Sequence, residues 1–176
     1  HDSLTGLLNR REMERRMQTA LENAAIDRST LAVVMIDLDG FKAVNDRFGH
    51  SAGDDFLRHV ASALRESVRA GDLIARFGGD EFLVMLERTS EEGAARVAQT
   101  MLKTLGASEF FWTGQSMRAK ASFGIGMGSG TDATWVTFLE RADIACYEAK
   151  SRGGNVVKLY RADNSIRMRA TGTLAK

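Results

Sequence analysis

Two acidic motifs follow or precede apolar segments in this sequence. Asp37 and Asp39 come directly after a six-residue apolar run, and Asp80 and Glu81 lie in the stretch RFGGDEFLVML, between two glycines and a second apolar run. Adjacent carboxylates repel one another unless a cation balances them. If the two apolar segments are neighbouring strands, all four acids converge at one sheet edge. Such an edge suits Mg²⁺, which prefers carboxylate oxygens and completes its shell with water and substrate phosphates.

Each motif alone has an ordinary alternative. Acids in hairpin turns are usually solvated turn residues, and Asp-Leu-Asp after a strand can simply mark the start of a loop. The occurrence of both motifs at strand ends favours a metal site, and this site predicts a nucleoside triphosphate as substrate. We interpret Gly78 and Gly79 as residues that permit the φ/ψ of a tight turn and leave room for a bulky ligand.

Hydrophobic periodicity predicts the elements that position these acids in the first half of the chain. Residues 7–25 have the apolar spacing of an amphipathic helix, and residues 30–39 have the pattern of a buried strand. GFKAVNDRFGH predicts a short helix or turn, and a longer helix follows from Ser51. DLIARF and EFLVML predict two strands joined by a two-residue glycine turn.

The second half predicts a helix capped by Ser90, two strands at FFWTG and MRAKASFGIGM, a helix at TWVTFLERADIACYEAKSR and a closing strand at NVVKLY. Gly124, Gly126 and Gly128 are expected to loosen the end of the second of these strands. The predicted order is α-β-α-α-β-β-α-β-β-α-β. It predicts an α/β (α+β) fold with a mostly antiparallel central sheet flanked by helices.

Composition excludes several classes of protein. The 176 residues suit one domain, and 24 Lys and Arg against 23 Asp and Glu leave a net charge of +1, which predicts no contact with duplex nucleic acid. The longest apolar run is too short to cross a bilayer, and no signal peptide is evident, so this fragment is expected to be cytoplasmic and to make no membrane contact. Cys146 is the single cysteine, and the three histidines lack ligand spacing, which argues against a disulfide and against structural zinc.

The chain starts without methionine and is expected to be a fragment of a longer protein, and a membrane anchor elsewhere in that protein stays an open alternative. Residues 1–160 are predicted to form the domain, and residues 161–176 a tail or linker, because apolar periodicity is lost there.

The sequence resembles the GGDEF diguanylate cyclase family, whose signature is the RFGGDEF stretch. The resemblance covers nearly the whole chain in the family's order, through DSLTGLLNRREM, IDLDGFKAVNDRFGHSAGDDFL, ASFGIG and ADIACYEAKSRGGNVV. It implies a fold like the polymerase palm and the class III nucleotidyl cyclases. The second half is most similar to members joined to an EAL phosphodiesterase domain.

The resemblance implies the condensation of two GTP molecules into cyclic di-GMP with release of two pyrophosphates. Each domain would hold one GTP, so catalysis would need a two-fold homodimer. By similarity, Asp37, the carbonyl of Leu38 and Asp80 would bind Mg²⁺, for which Mn²⁺ could substitute. Asp80 and Glu81 would be the catalytic residues, with Glu81 acting either as a metal ligand or as a base.

Five further residues match the family's GTP-binding positions. Asn45 and Asp54 match the positions that recognise guanine, with helix-cap or helix-dipole roles as their alternatives. Lys42 and the backbone at Phe41 match the triphosphate loop, and Lys150 matches a phosphate-binding lysine that would otherwise be a solvated helix residue.

One position departs from the family pattern. The family usually has Gly-Arg-Asn or Gly-Lys-Asn after the last helix, whereas this chain has Gly153-Gly154-Asn155. Gly154 therefore lacks the cation expected near the γ-phosphate, and Arg152 is the nearby residue that could replace it. This departure supports an alternative function, a catalytically weak or inactive module that binds GTP or cyclic di-GMP and regulates an attached domain.

Arg69 and Asp72 match the family's Arg-x-x-Asp site, at which cyclic di-GMP inhibits the enzyme; the alternative is an ordinary surface ion pair. Phe138, Cys146 and Tyr147 are expected in the core, and His50 is expected to shape the guanine loop.

Overall fold

The computed structural model describes residues 1–132 and 134–162. Its elements, in chain order, are α1 Arg10–Asp27, β1 Thr30–Leu38, α2 Phe41–Phe48, α3 His50–Glu66, β2 Leu73–Arg76, β3 Glu81–Glu87, α4 Glu91–Ala107, β4 Glu109–Trp112, β5 Gln115–Arg118, β6 Ala121–Ser129, α5 Trp135–Ser151 and β7 Val157–Leu159. Among these residues, no helix is both long and apolar enough to cross a membrane.

A five-stranded sheet in the order β2-β3-β1-β6-β7 forms the centre of the domain, and β4 and β5 form a separate two-stranded sheet. All neighbours in the large sheet are antiparallel except β6 and β7, which are parallel. The predicted mostly antiparallel sheet flanked by helices is therefore confirmed. Because β1 is the middle strand, its acidic end has a strand on each side.

The two faces of the sheet bury separate apolar clusters, since successive side chains of a strand point to opposite faces. Val34 and Ile36 of β1 pack in the cluster that includes α3 and α4. Val33 and Met35 pack in the cluster that includes α1 and α5. Asp37 follows Val33 and Met35 at the same two-residue spacing, so its side chain lies on the face of the sheet that is covered by α1 and α5.

The glycines of β6 let α5 lie directly on the sheet. A Cβ at Gly124 would overlap the carbonyl oxygen of Ala142, and a Cβ at Gly126 would overlap that of Phe138. The expectation that these glycines loosen the strand was wrong, because β6 pairs with β1 without interruption from Ala121 to Ser129. Their missing side chains serve close helix packing instead.

Two predicted boundaries also differ. The first helix begins at Arg10 rather than residue 7, because Asn9 caps it by accepting from the Glu12 N–H at 2.9 Å. Leu8 instead pairs with Ala75 in an isolated parallel bridge. The segment MRAKASFGIGM contains two strands, β5 and β6, that belong to different sheets.

The predicted closing strand is confirmed as β7. The predicted tail lies outside the described residues from position 163 onward, while Arg161 forms an ion pair with Glu91 at 3.0 Å.

Candidate active site

The strand register brings the two acidic motifs together. Asp37 of β1 is the direct cross-strand partner of Glu81 in β3 and of Ser122 in β6. One residue further on, the Leu38 N–H donates to the Asp80 carbonyl at 3.2 Å. Because cross-strand partners in an antiparallel pair lie on one face, Asp37, Glu81 and Ser122 form a polar row at the end of the sheet.

Helix α5 covers this row and brings a cation to it. The Lys150 Nζ lies 2.6 Å from Asp37 Oδ2. The other oxygen, Asp37 Oδ1, is buried and accepts no hydrogen bond. Asp143 lies seven residues before Lys150, on the same side of the helix, and its charge acts on Glu81. Asp143 was not among the site residues predicted from the sequence, although its helical spacing from Lys150 could have indicated it.

Burial raises the pKa of both central carboxyl groups. For Asp37, loss of solvation is the largest cause, and it outweighs the opposing effect of Lys150. For Glu81, loss of solvation comes first, followed by repulsion from Asp37, Asp80 and Asp143. The pKa of Lys150 is raised because the Asp37 carboxylate outweighs the effect of partial burial. The row therefore holds more negative charge than one lysine balances.

A substitution at Glu81 tests this electrostatic description. A carboxyl whose pKa is raised on folding binds its proton more tightly in the native state. Stability is therefore lost as the pH rises from the unfolded value, about 4.5, through the folded one. We expect Glu81→Gln to raise the melting temperature by roughly 1–3 °C at pH 7, and by progressively less as the pH falls to 4. The measurement is thermal unfolding in the presence of a chelator.

Glu66, an exposed residue at the end of α3, provides the matched control. Glu66→Gln is expected to leave the melting temperature unchanged at each pH. A Glu81→Gln variant that melts below wild type at pH 7, or a difference that does not depend on pH, would contradict the description.

The sequence predicted that Asp39 would converge with the other three acids, but its carboxylate is bonded elsewhere. Its Oδ1 accepts from Ser122 Oγ at 2.8 Å, and its Oδ2 accepts from the Asn155 N–H at 2.7 Å. The four-carboxylate cluster is thus reduced to Asp37, Asp80 and Glu81, with Asp39 facing the loop after α5. Within the described ranges, no three His, Cys, Asp or Glu side chains form a ready-made metal cage.

The signature turn is wider than the predicted two-residue hairpin. Four residues, 77–80, separate β2 from β3, and the N–H groups of Phe77 and Gly78 both donate to the Glu81 carbonyl, at 2.8 and 3.2 Å. Neither Gly78 nor Gly79 has a φ in the left-handed region. The close neighbour of Gly78 is the Glu81 carboxylate, which a Cβ at this position would overlap and displace.

Arg76 braces this turn against the start of the chain. Its guanidinium donates to the Gly79 carbonyl at 2.8 Å and lies 3.4 Å from Asp2 Oδ2. Asp2 in turn accepts from the Thr5 backbone and hydroxyl, at 2.8 and 2.7 Å. The N-terminal segment therefore contacts the signature turn, a contact that no motif in the sequence predicted.

Helices α2 and α3 bring together the residues that match the guanine positions. Gly53 is so close to Asn45 that a Cβ would overlap its amide oxygen, and Asp54 is the next residue of α3. Phe41 and Lys42 form the first turn of α2, directly after β1 and the Asp39-Gly40 link. His50 is the first residue of α3, at its exposed end.

The loop after α5 places Gly154 against Asp39. A Cβ added to Gly154 would lie 2.7 Å from Asp39 Oδ2. Arg152, the expected substitute for the missing basic residue, pairs with Glu148 at 2.8 Å.

Arg69 and Asp72 form a structured pair at a different surface. Arg69 Nε donates to Asp72 Oδ1 at 3.0 Å, and Arg69 Nη2 donates to the Glu87 carbonyl at 2.9 Å. The Asp72 carboxylate is buried, whereas the Arg69 side chain is 66% exposed. Arg88 and Arg96 line the same open pocket.

Two of the three expected core residues of α5 are buried. Phe138 and Cys146 lie within the core, and burial raises the pKa of the Cys146 thiol to about 12. Tyr147 is 64% exposed, so its assignment to the core was wrong. It lies on the side of α5 that faces away from the sheet, next to the wholly buried Cys146.

Comparison with known proteins decides the family. The sequence pattern described as "Diguanylate cyclase, GGDEF domain" matches residues 1–156. This chain belongs to the GGDEF diguanylate cyclase family. Over 155 residues the domain is 41% identical to the bifunctional diguanylate cyclase/cyclic di-GMP phosphodiesterase MucR of Pseudomonas aeruginosa, covering 88% of this chain and 22% of that protein.

Solved structures show the same fold. The GGDEF domain of TpbB (YfiN) from Pseudomonas aeruginosa superposes with a TM-score of 0.90 at 36% identity, covering 96% of this chain and 99% of that chain. The GGDEF domain of DgcB from Caulobacter crescentus, solved in complex with c-di-GMP, superposes with a TM-score of 0.86 at 27% identity. The match covers 90% of this chain and 91% of that chain. The expected palm-like cyclase fold is therefore confirmed. This GGDEF domain spans only 14–35% of the curated relatives it matches.

Proposed function

We propose that this GGDEF domain is a Mg²⁺-dependent diguanylate cyclase that joins two GTP molecules into cyclic di-GMP. The observation that carries the proposal is the juxtaposition of Asp37, Glu81 and Asp80 at one sheet end, beside Lys150. We assign guanine recognition to Asn45 and Asp54, which lie on α2 and α3. Family membership supports this reaction, and the residue roles come from the family motif.

The residues at this sheet end suit a divalent cation. Asp37 Oδ1 is buried without a hydrogen-bond donor, and the nearby carboxylates exceed the single Lys150 charge. A buried, unpaired carboxylate oxygen is costly unless a cation contacts it. Asp37, Asp80 and the Leu38 carbonyl would hold Mg²⁺ or Mn²⁺. When bound, such an ion polarises phosphoryl oxygens and favours deprotonation of a hydroxyl.

The chain's own residues would bind and orient the nucleotide. A carboxylate such as Asp54 can accept from N1–H and the exocyclic amine of guanine, a donor pair that adenine does not present. Lys42 and Lys150 would contact the triphosphate, and Glu81, with its raised pKa, is a stronger proton acceptor than an ordinary glutamate.

Cyclic di-GMP would form in two identical phosphoryl-transfer steps. In each step the 3′-oxygen of one GTP bonds to the α-phosphorus of the other, and the bond from that phosphorus to the pyrophosphate oxygen breaks. Pyrophosphate leaves with the electron pair, while the hydroxyl proton passes to a base. Since both nucleotides act as nucleophile and electrophile, two domains must face each other across a two-fold axis.

The deciding experiment incubates the purified domain with GTP and MgCl₂ and detects cyclic di-GMP and pyrophosphate. We expect two pyrophosphates per product and a specific activity that rises with protein concentration, because only the dimer is competent. Bound GTP without product at high protein concentration would overturn the proposal.

That negative outcome would favour the second candidate, a GTP- or cyclic di-GMP-binding module that regulates an attached domain. The observation that favours it is Gly154, which supplies no cation where relatives carry one, together with the pairing of Arg152 to Glu148.

Product inhibition is proposed at the pocket containing Arg69 and Asp72. The buried Asp72 carboxylate accepts from both the backbone N–H and the guanidinium of Arg69. It thereby orients an otherwise exposed arginine, which suits recognition of a guanine edge or a phosphate. We therefore assign product binding to this pocket, which is separate from the proposed active site.

We expect Arg69→Ala to raise the cyclic di-GMP concentration for half-inhibition by roughly 10-fold or more, because it removes a charge-assisted contact of about 1.5–3 kcal/mol. The initial rate without product should stay within about two-fold of wild type. The measurement is cyclase activity against added product.

Arg58→Ala is the matched control, since Arg58 forms an ion pair with Asp55 at the same three-residue separation on α3. It should leave inhibition unchanged. Equal inhibition of Arg69→Ala and wild type would overturn the assignment.

A further inference from the structure

Each oxygen of the Asp39 carboxylate accepts a hydrogen bond from a protein donor. It accepts from Ser122 Oγ at 2.8 Å and from the Asn155 N–H at 2.7 Å, and the Asp39 N–H donates to the Lys120 carbonyl at 2.8 Å. Asp37, two residues earlier, has an oxygen without any donor. The two acids of the same motif therefore have different tasks.

Asp39 holds the turn that ends α5. Gly153, Gly154 and Asn155 have consecutive positive φ values of 104°, 71° and 53°. The N–H groups of the two glycines return to the helix carbonyls of Lys150 and Ala149, both at 3.1 Å, and the next N–H, that of Asn155, goes to Asp39 instead. The carboxylate also lies directly against Gly154, where a Cβ would approach Oδ2 to 2.7 Å.

The same helix end carries Lys150, whose Nζ contacts Asp37 Oδ2 at 2.6 Å. Ser122, the second donor to Asp39, accepts through its own carbonyl from Cys146 Sγ at 3.3 Å, one turn earlier in α5. The last two turns of α5 are thus attached to the ends of β1 and β6 through Asp37, Asp39 and Ser122.

From this arrangement we infer that Asp39 is a positioning residue that fixes the C-terminal end of α5, and thereby holds Lys150 and the Gly154 loop against the nucleotide site. The link to nucleotide rests on the proposed function, whereas the attachment of the loop does not. Asp39 acts through Lys150 and the loop, and it is not a ligand of the metal.

Asparagine and alanine distinguish positioning from metal ligation. In Asp39→Asn, the amide oxygen can accept from the Asn155 N–H while the amide nitrogen donates to Ser122 Oγ, whose hydroxyl can rotate. Both attachments survive without the charge. In Asp39→Ala both are lost. If Asp39 positions the loop, the asparagine variant keeps the wild-type behaviour. If its carboxylate were a ligand of a hard cation, the asparagine variant would lose it.

The first measurement is residue-resolved amide hydrogen exchange by NMR, without nucleotide. We expect Asp39→Ala to accelerate exchange of the Asn155 amide by roughly ten-fold or more, and Asp39→Asn to stay within about three-fold of wild type. Ser122→Ala removes one of the two donors to Asp39 and should accelerate exchange of the Asn155 amide by an intermediate factor. This variant replaces Asp39→Ala in the test if Asp39→Ala does not fold. Glu22→Ala, at an exposed position of α1, is the control for loss of an acid. Unchanged protection of Asn155 in both Asp39→Ala and Ser122→Ala would overturn the inference.

The second measurement is the affinity for a non-hydrolysable GTP analogue with Mn²⁺, by titration calorimetry. We expect Asp39→Ala to weaken binding about as much as Lys150→Ala, and the double variant to be no weaker than Lys150→Ala alone, because contacts in one network are not additive. Asp39→Asn should bind like wild type. Additive losses, or an Asp39→Asn variant as weak as Asp39→Ala, would overturn the inference. If wild type bound no analogue, the proposed function would fail, and the exchange data alone would decide the role of Asp39.

Discussion

Asp80→Ala is expected to abolish cyclic di-GMP formation, with turnover reduced by roughly 10³-fold or more. Asp80 supplies a carboxylate beside Asp37 and Glu81, and removing a proposed metal ligand leaves the phosphoryl transfer without its main charge stabilisation. The fold should survive, because the structural contact of Asp80 is made by its backbone carbonyl, which accepts from the Leu38 N–H. The measurements are product formation at saturating GTP and thermal unfolding.

Asp46→Ala is a suitable control, since Asp46 is an exposed acid of α2, close in sequence to the proposed guanine residues. It should retain turnover within a few-fold of wild type. An Asp80→Ala protein that is folded and still produces cyclic di-GMP at more than about a tenth of the wild-type rate would refute the proposed role.

Gly124→Ala is expected to cause the largest loss of stability, roughly 3 kcal/mol or more. The new Cβ would overlap the Ala142 carbonyl oxygen and the Cys146 N–H, which are helix backbone atoms that have no alternative rotamer. Relief requires α5 to lift from the sheet, which would carry Lys150 away from Asp37. We therefore expect both a lower free energy of unfolding and lower turnover, measured by denaturant titration and cyclase assay.

Gly106→Ala is the matched control, because it is the same substitution in a helix with no atom within 4 Å of the added Cβ. It should stabilise the domain by about 0.5–1 kcal/mol. A Gly124→Ala variant as stable as wild type would show that α5 does not pack on β6 as described.

Much of the fold could be predicted because its elements are locally encoded. The buried strand β1, the Ser90 cap and the helical spacing of α3 and α5 are patterns between near neighbours. The misplaced boundaries arose where a non-local contact competed with the local pattern. Leu7 and Leu8 have helical spacing, yet Leu8 pairs with Ala75, and the Asn9 cap starts the helix later.

The sequence by itself determined the family, the central acids and their positions at strand ends, because the motifs and the alternating apolar runs are contiguous. Only the tertiary structure distinguished Asp37 from Asp39, which have the same residue type and flank Leu38. The partners of Asp39 are 83 and 116 residues away in the sequence. Local hydrophobic periodicity carries no information about contacts at such separations. The tertiary structure likewise revealed that Tyr147 is exposed and that the β6 glycines serve packing, since both depend on which face α5 lays on the sheet.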